Sequence, residues 1–325
     1  MKYRAIIQEA WALTQTNKKL LWGFSFIPAL LSTLVFVIYG SYQAYALWDS
    51  ALLFGNGEGV NQLWHQGGSF ILESFQKHPG LSIFGIVLAA ILGVIYVLLP
   101  PFMQGALIQL MVRARHGHPI SIREGIGLGF RRFLQLFEYD LAIRTFSVVS
   151  VATQALFILR NFGPSSLTLF IGLFSFIGVV ALFLTLLFTY SEYAIVIDDD
   201  GLFEGMMKSA KLVMRYWDRT LFMLFLMALI SLRILINILA ALLIPLLVIG
   251  PILFFTSITL AQVGWVLGIL LGSISLYFTS YFVGVFHVFT TGVWTFTFLE
   301  LSAEPENNLR EEVDSVQKEE NQNEG

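Results

Sequence analysis

Arg233 and His287 are the ionisable side chains set deepest in long apolar runs of this chain. At such depth an ionisable group is costly, and it is a functional candidate by default. Arg233 follows Arg219 by 14 residues, about 21 Å along a helix. Asn237 lies one turn further on the same face. His287 precedes Leu299 by 12 residues, roughly 18 Å by the same rise. It stands in a stripe of small or polar residues, Ser280, Gly284, His287, Thr291 and Thr295. The spacing therefore nominates Arg233, Asn237, His287 and Thr291 as an intramembrane polar site between the last two apolar runs. Two uses fit it. Small and hydroxyl residues let helices approach and hydrogen-bond across a seam. Alternatively the group lines a polar cavity for an anion, a lipid headgroup or a proton.

A second set is basic. Arg123, Arg131, Arg132, Lys208, Lys211 and Arg215 flank apolar runs rather than forming a groove with interleaved aromatics. That placement predicts contact with anionic lipid headgroups, not with nucleic acid. Other chemistry has little support. Glu138, Asp140, Glu192 and Asp198 are acids at run ends but come from different segments, so the sequence does not show them converging. Arg144 can reach Asp140 one helical turn back. Asp198, Asp199 and Asp200 are consecutive, so their side chains diverge, and they suit a helix N-terminus better than a metal. His116-Gly117-His118 lacks a third ligand beside it. Ser121 with Glu124 fits a capping box. The chain has no cysteine, which removes thiolate chemistry. It has no Walker loop, no H-E-x-x-H and no G-x-S-x-G. No catalytic residue, metal or cofactor is expected, and the protein reads as a non-enzyme.

The elements that must carry these residues are set by the solvent. Of 325 residues, 56% are hydrophobic and 13% charged, and the mean hydropathy is +0.74. Soluble domains carry roughly 25% charged residues, so most of this chain faces lipid. Six runs are long enough to span at about 20 residues each: 20–47, 81–112, 139–159, 167–190, 220–249 and 263–299. Pro100 and Pro101 should kink or break the second. An Ala44-Tyr45-Ala46 triplet has the shape of a signal-cleavage site. The apolar run before it is too long for a usual signal peptide, so an uncleaved span is expected.

Basic residues fix the threading. Lys2, Arg4, Lys18, Lys19, Arg113, Arg115, Arg123, Arg131, Arg132, Lys208, Lys211, Arg215 and Arg219 fall on one side of the spans, and Lys77 and Arg160 on the other. Both termini should be cytoplasmic. Phe203, Met206, Ala210, Val213 and Trp217 recur at helical spacing opposite Glu204, Lys208, Lys211, Arg215 and Asp218, an amphipathic helix for the membrane surface. Ile122, Ile126, Phe130, Phe133 and Phe137 repeat the pattern, and Tyr3, Ile6, Ile7, Ala10 and Leu13 do so loosely. Glu9-Ala10, Glu124-Gly125 and Glu204-Gly205 precede Trp22, Phe137 and Trp217 at one common interval. The chain thus reads as three units, each a surface helix followed by a hairpin of spans: 1–112, with an exterior loop at 48–80, then 113–192 and 193–301. The loop carries a Gly-rich turn and an interfacial helix. The tail 302–325 is acidic and poor in apolar residues, so disorder is expected there. The expected fold class is an all-α polytopic membrane bundle.

The stretch from Tyr193 to Trp217 resembles a loose group of prokaryotic six-helix membrane proteins. That group includes the membrane domain attached to some glycerophosphodiester phosphodiesterases, and related proteins of uncharacterised role. The shared pattern is an extended segment with an acid and Gly, a helix with a Lys/Arg-Ser pair, then an aromatic before the next span. Here these positions are Asp200, Gly201, Lys208, Ser209, Lys211 and Trp217. The resemblance implies the six-helix fold and a prokaryotic cytoplasmic membrane, and no activity. Taken together, the sequence predicts an inner-membrane protein that organises or accommodates anionic lipid or membrane-protein partners. The alternative is a transporter or channel for a small solute, anion or lipid, using the Arg233–His287 region.

Overall fold

The computed structural model describes residues 3–48, 75–145, 148–162, 164–236 and 261–323, with the isolated positions Ser69 and Glu73. Every regular element among them is helical. In chain order these are α1 (Tyr3–Thr16), α2 (Lys18–Leu20), a π-helical turn (Leu21–Ser25), α3 (Phe26–Trp48), α4 (Pro79–Arg115), α5 (Ile122–Arg131), α6 (Phe133–Thr145), α7 (Val148–Phe162), α8 (Pro164–Leu187), α9 (Ser191–Ile197), α10 (Leu202–Arg215), α11 (Trp217–Ile236) and α12 (Ala261–Asn323).

Five helical stretches are long and apolar enough to cross a membrane: Lys18–Gln43, Pro79–Arg115, Phe170–Ile197, Trp217–Ile236 and Leu270–Ala303. The expected third span, 139–159, falls instead across α6 and α7. Neither reaches 18 residues, and positions 146–147 between them lie outside the described residues. Most of the exterior loop lies outside them too, as does the far half of the expected fifth span.

Burial divides the long helices by their length. In α4 the half around Leu81, Phe84, Val87 and Val94 is exposed, whereas Ala106, Leu107, Ile108, Leu110 and Met111 have no accessible surface. α12 repeats this, exposed at Val266, Leu270 and Phe278 and buried at Val288, Val293, Phe296 and Phe298. The packed core therefore gathers at the end of the bundle where the basic residues lie. There α12 packs on α1, α3 and α4, α5 and α6 pack on α4, and α10 packs on α9. Trp294 touches both halves of this core.

Pro100 and Pro101 do not break α4, which runs unbroken through them. Each proline removes one intrahelical N–H donor. A helix in lipid tolerates this where its neighbours re-satisfy the freed carbonyls. The His116-Gly117-His118 triplet is a helix stop. Gly117 adopts φ +78°, and the His118 N–H donates back to the Arg113 carbonyl at 3.1 Å, in the manner of a Schellman motif. The acidic tail, for which disorder is expected, continues α12 as helix to Asn323. Its Glu, Gln, Lys and Arg residues are good helix formers.

The small residues of the aligned pairs are all buried, and two of them sit at close contacts. Ala10 is fully buried, and Gly125 and Gly205 are buried on the inner faces of α5 and α10. A Cβ on Gly205 would lie 2.7 Å from Ile195, and one on Gly125 would lie 2.7 Å from Leu110 and collide with Phe24. Gly127, on the same helix, has nothing within 4 Å. Gly125→Ala is therefore expected to destabilise by about 1–3 kcal/mol. Gly127→Ala should be neutral or stabilise by up to about 1 kcal/mol. Thermal unfolding of the two variants in one detergent checks the contrast, and equal effects would contradict the packing.

Candidate functional site: a polar cavity beneath a ring of ion pairs

The charged end is tied together across elements. Asp199 sits at φ +63°, a left-handed conformation that aspartate tolerates better than most residues. From there its carboxylate accepts hydrogen bonds from Arg131 Nη2 at 2.6 Å and Arg132 Nε at 2.7 Å. Its main-chain oxygen accepts from Arg132 Nη2 at 2.7 Å. The Arg132 hydrogen bond, followed by the charges of Arg132 and Arg131, holds the Asp199 carboxyl below the ordinary aspartate range. Lys208 pairs with Asp198 at 2.7 Å and Asp200 at 3.4 Å. Desolvation pulls its ammonium down, but the bonds and charges of the two aspartates outweigh that and raise it. Arg115 bridges Glu9 of α1 at 3.0 Å and Glu300 of α12 at 3.9 Å. Arg113 pairs with Glu124, so Glu124 is an ion-pair partner rather than half of a capping box, and Ser121 makes no side-chain cap. At α10, Glu204 does reach back to accept from the Gly201 N–H at 3.2 Å.

The six residues expected to form a basic face thus fall into two groups. Arg131, Arg132 and Lys208 are committed to the three aspartates. Arg123, Lys211 and Arg215 are exposed and make no ion pair among the described residues. Beside them some large apolar residues of α5 and α10 point away from the core, with Phe130 68% and Phe203 78% exposed, whereas Val213 is buried in it and Leu128, Met206 and Leu212 pack against it.

Beneath the ring, α9 is held on every side. The Ser209 hydroxyl accepts from the Tyr190 N–H at 3.0 Å and donates to the Leu187 carbonyl at 2.9 Å, bridging the break between α8 and α9. Gln109 Nε2 donates to the Val196 carbonyl at 3.0 Å, and Tyr139 Oη to the Phe188 carbonyl at 2.9 Å. This segment, extended in the pattern that the resemblance implies, is here a buried helix through Ile197. α9 in turn presents Glu192, whose Oε2 accepts from Gln104 Nε2 of α4 at 2.9 Å.

Glu192 and Gln104 line a cavity of about 250 Å³ with Asp140 of α6 and His287 of α12. Its remaining wall is Ser25, Ser32 and apolar side chains of α3, α4, α6 and α12. The structure thus gives His287 two carboxylates as neighbours around one space. Arg233 does not line that space; it is exposed on α11 and makes no hydrogen bond or ion pair among the described residues. Asn237 lies outside the described residues. Thr291 is 2% exposed and packed, and its carbonyl accepts from Thr295 Oγ1 at 2.7 Å. Ser280 donates to the Leu276 carbonyl, and Gly284 accepts at its carbonyl from Ser25 Oγ at 3.0 Å. Most of the polar stripe is therefore a packing seam, and His287 is its cavity-facing member. The sequence shows Asp140 and Glu192 only as acids at run ends on different segments. No three His, Asp or Glu side chains among the described residues converge as metal ligands.

No family model, curated protein or solved structure matches this chain.

Two variants test these ties. Asp199→Asn retains a residue that tolerates the left-handed backbone and removes the charge. Because the folded carboxyl titrates below its unfolded value of about 3.9, its contribution is complete above roughly pH 5 and is lost as pH falls through the folded value. The wild-type protein should lose thermal stability below pH 4 more steeply than Asp199→Asn, and parallel curves would contradict this. Ser209→Ala strands a buried N–H and a carbonyl and is expected to cost about 1–3 kcal/mol, read as a lowered unfolding temperature. Wild-type stability would show that the bridge is dispensable.

Proposed function

We propose that this protein is a non-catalytic, multi-pass protein of a prokaryotic cytoplasmic membrane that gathers anionic lipid at its charged end. It carries six spans in three hairpins, both termini lie in the cytoplasm, and α1, α5 and α10 rest along the inner leaflet. The observation that supports this reading best is the outward face of α5 and α10. Large apolar residues, Ile126, Phe130, Phe203, Met207 and Met214, are exposed beside Arg123, Lys211 and Arg215, as is Trp217 at the start of α11. Apolar side chains of this size enter the headgroup boundary while adjacent cations meet the phosphates. The aspartates neutralise Arg131, Arg132 and Lys208, which leaves the remaining three cations to carry the lipid contact.

A second reading, a transporter or channel for a small solute, is favoured by the cavity at His287. Its polar site is then the cavity itself rather than a meeting of Arg233 with His287.

The lipid reading predicts that purified protein carries phosphatidylglycerol in preference to phosphatidylcholine when extracted from a mixed membrane. Arg123→Gln, Lys211→Gln and Arg215→Gln should each weaken this by about 1 kcal/mol of headgroup attraction, whereas Asp199→Asn should not. Lipid extraction with mass spectrometry reads the ratio, and an unchanged ratio in the triple variant would remove the reading.

A further inference from the structure

We propose that the groove between α1 and α11 holds one phospholipid, with an acyl chain between the helices and its phosphate on Arg4. This rests on the bundle being immersed in lipid, as the proposed function has it. It does not rest on the outward faces of α5 and α10, none of whose residues line the groove.

Tyr3 meets Phe222 with ring centroids 4.8 Å apart, and one turn further along each helix Ile7 and Leu226 line the same space. The two helices thus touch at one end and are not sealed by their own side chains beyond it. The open space measures about 860 Å³, within the ~300–1,000 Å³ of ligand clefts. Ile7 and Leu226 are half-buried in it, and Phe222 is exposed. Water finds few partners against such walls. α11 is long and apolar enough to cross a membrane, and Phe225 and Leu229 on its next turns are exposed as well. In a bilayer such a face is covered by hydrocarbon, so the medium itself supplies an acyl chain to the groove.

Arg4 selects what lies at the end of that chain. It lines the groove, is exposed, and makes no hydrogen bond or ion pair among the described residues. The acid of α1, Glu9, is held instead by Arg115 at 3.0 Å. Asp218, one turn before Phe222, makes no ion pair among the described residues either. A guanidinium presents a fork of donors that matches phosphate oxygens. Gln8, one turn from Arg4 and also exposed in the lining, adds a neutral donor for the same headgroup. A cation beside an apolar groove at the membrane boundary is complementary to a lipid, which carries its phosphate at the head of its chains.

The test is native mass spectrometry of full-length protein released from detergent, which counts bound lipids. Dioleoyl-phosphatidylglycerol and dioleoyl-phosphatidylcholine supply chains with a phosphate. Dioleoylglycerol supplies the chains alone, and inorganic phosphate the anion alone. One molecule of either phospholipid should be retained per protein, dioleoylglycerol should be held more weakly, and phosphate should displace neither phospholipid. Ala5→Trp adds bulk at an exposed position of the lining and should remove the bound lipid. Ala12→Trp, exposed on α1 outside the groove, should keep it. Arg4→Gln should weaken retention about fivefold, the loss of one headgroup cation, and bring it to the level of dioleoylglycerol. Equal retention of dioleoylglycerol and phospholipid, displacement by inorganic phosphate, or full retention in Ala5→Trp would overturn the assignment. So would a dimer, in place of bound lipid, that Ala5→Trp splits. The triple variant of Arg123, Lys211 and Arg215 separates the two readings and should keep this lipid. Its loss there would overturn the groove, whereas an unchanged phosphatidylglycerol ratio there removes the outward-face reading alone.

Discussion

The outer halves of α3, α4, α8 and α12 present apolar side chains on nearly every face, and that surface dictates the rest of the structure. Water would make it untenable, since soluble monomers rarely expose contiguous apolar patches of more than a few hundred Å². In oil it costs nothing, but oil also provides no hydrophobic force between helices and no hydrogen bonds for stray polar groups. Helices in such a medium associate by close packing and by internal satisfaction of polar atoms. Both devices are found where the bundle is tight. Gly129 and Gly205 bring backbones together, and Gly125 and Ala10 leave room for neighbouring side chains. Thr14, Thr33, Thr185, Thr295 and Thr297 return their hydroxyls to carbonyls of their own helices. Ser25 and Ser209 instead bridge separate segments.

The same constraint explains why charge is concentrated at one end and paired between elements. An exposed pair contributes little to stability in water. Here several pairs link separate segments: Arg115 ties α4 to α1 and α12, Arg113 ties α4 to α5, and Asp199 ties the α9–α10 turn to the α5–α6 junction. Their worth lies in register more than in energy. α9 has only seven residues, too few to hold its place by helix propensity. The turn after it is pinned from both sides, by Asp199 on the two arginines and by Lys208 on the flanking aspartates. That pinning aims Glu192 at Gln104.

What the sequence makes legible follows the strength of each signal. Long apolar runs announce themselves, and four of the six expected spans correspond closely to candidate spans, with the fifth run described only through Ile236. The third run is described in two pieces, α6 and α7, on either side of positions 146–147, which lie outside the described residues, and neither piece alone is long enough for a span. Glu9, Glu124 and Glu204 are each followed by a small residue that is buried, and at Gly125 and Gly205 an added Cβ would crowd a neighbouring side chain, which the spacing by itself does not state. The Lys208-Ser209 pair is likewise visible as a pattern, while its purpose, a salt bridge on one side and a backbone bridge on the other, exists only in three dimensions. His116 and His118 look like half of a metal site and are the end of a helix.

The candidate site shows most clearly where periodicity stops being informative. Depth along one helix can be counted from the nearest surface charge, and counting alone pairs Arg233 with His287. It cannot say which way a residue faces around the bundle, and the two side chains face different surroundings. The acids near His287 lie on α6 and α9, elements whose positions depend on the Tyr139, Gln109 and Ser209 bonds rather than on any apolar period. A carboxylate held in place by hydrogen bonds from other segments leaves no periodic trace in its own. Polar sites inside membrane bundles are therefore least visible where they are most elaborately supported, and here the support converges on Glu192.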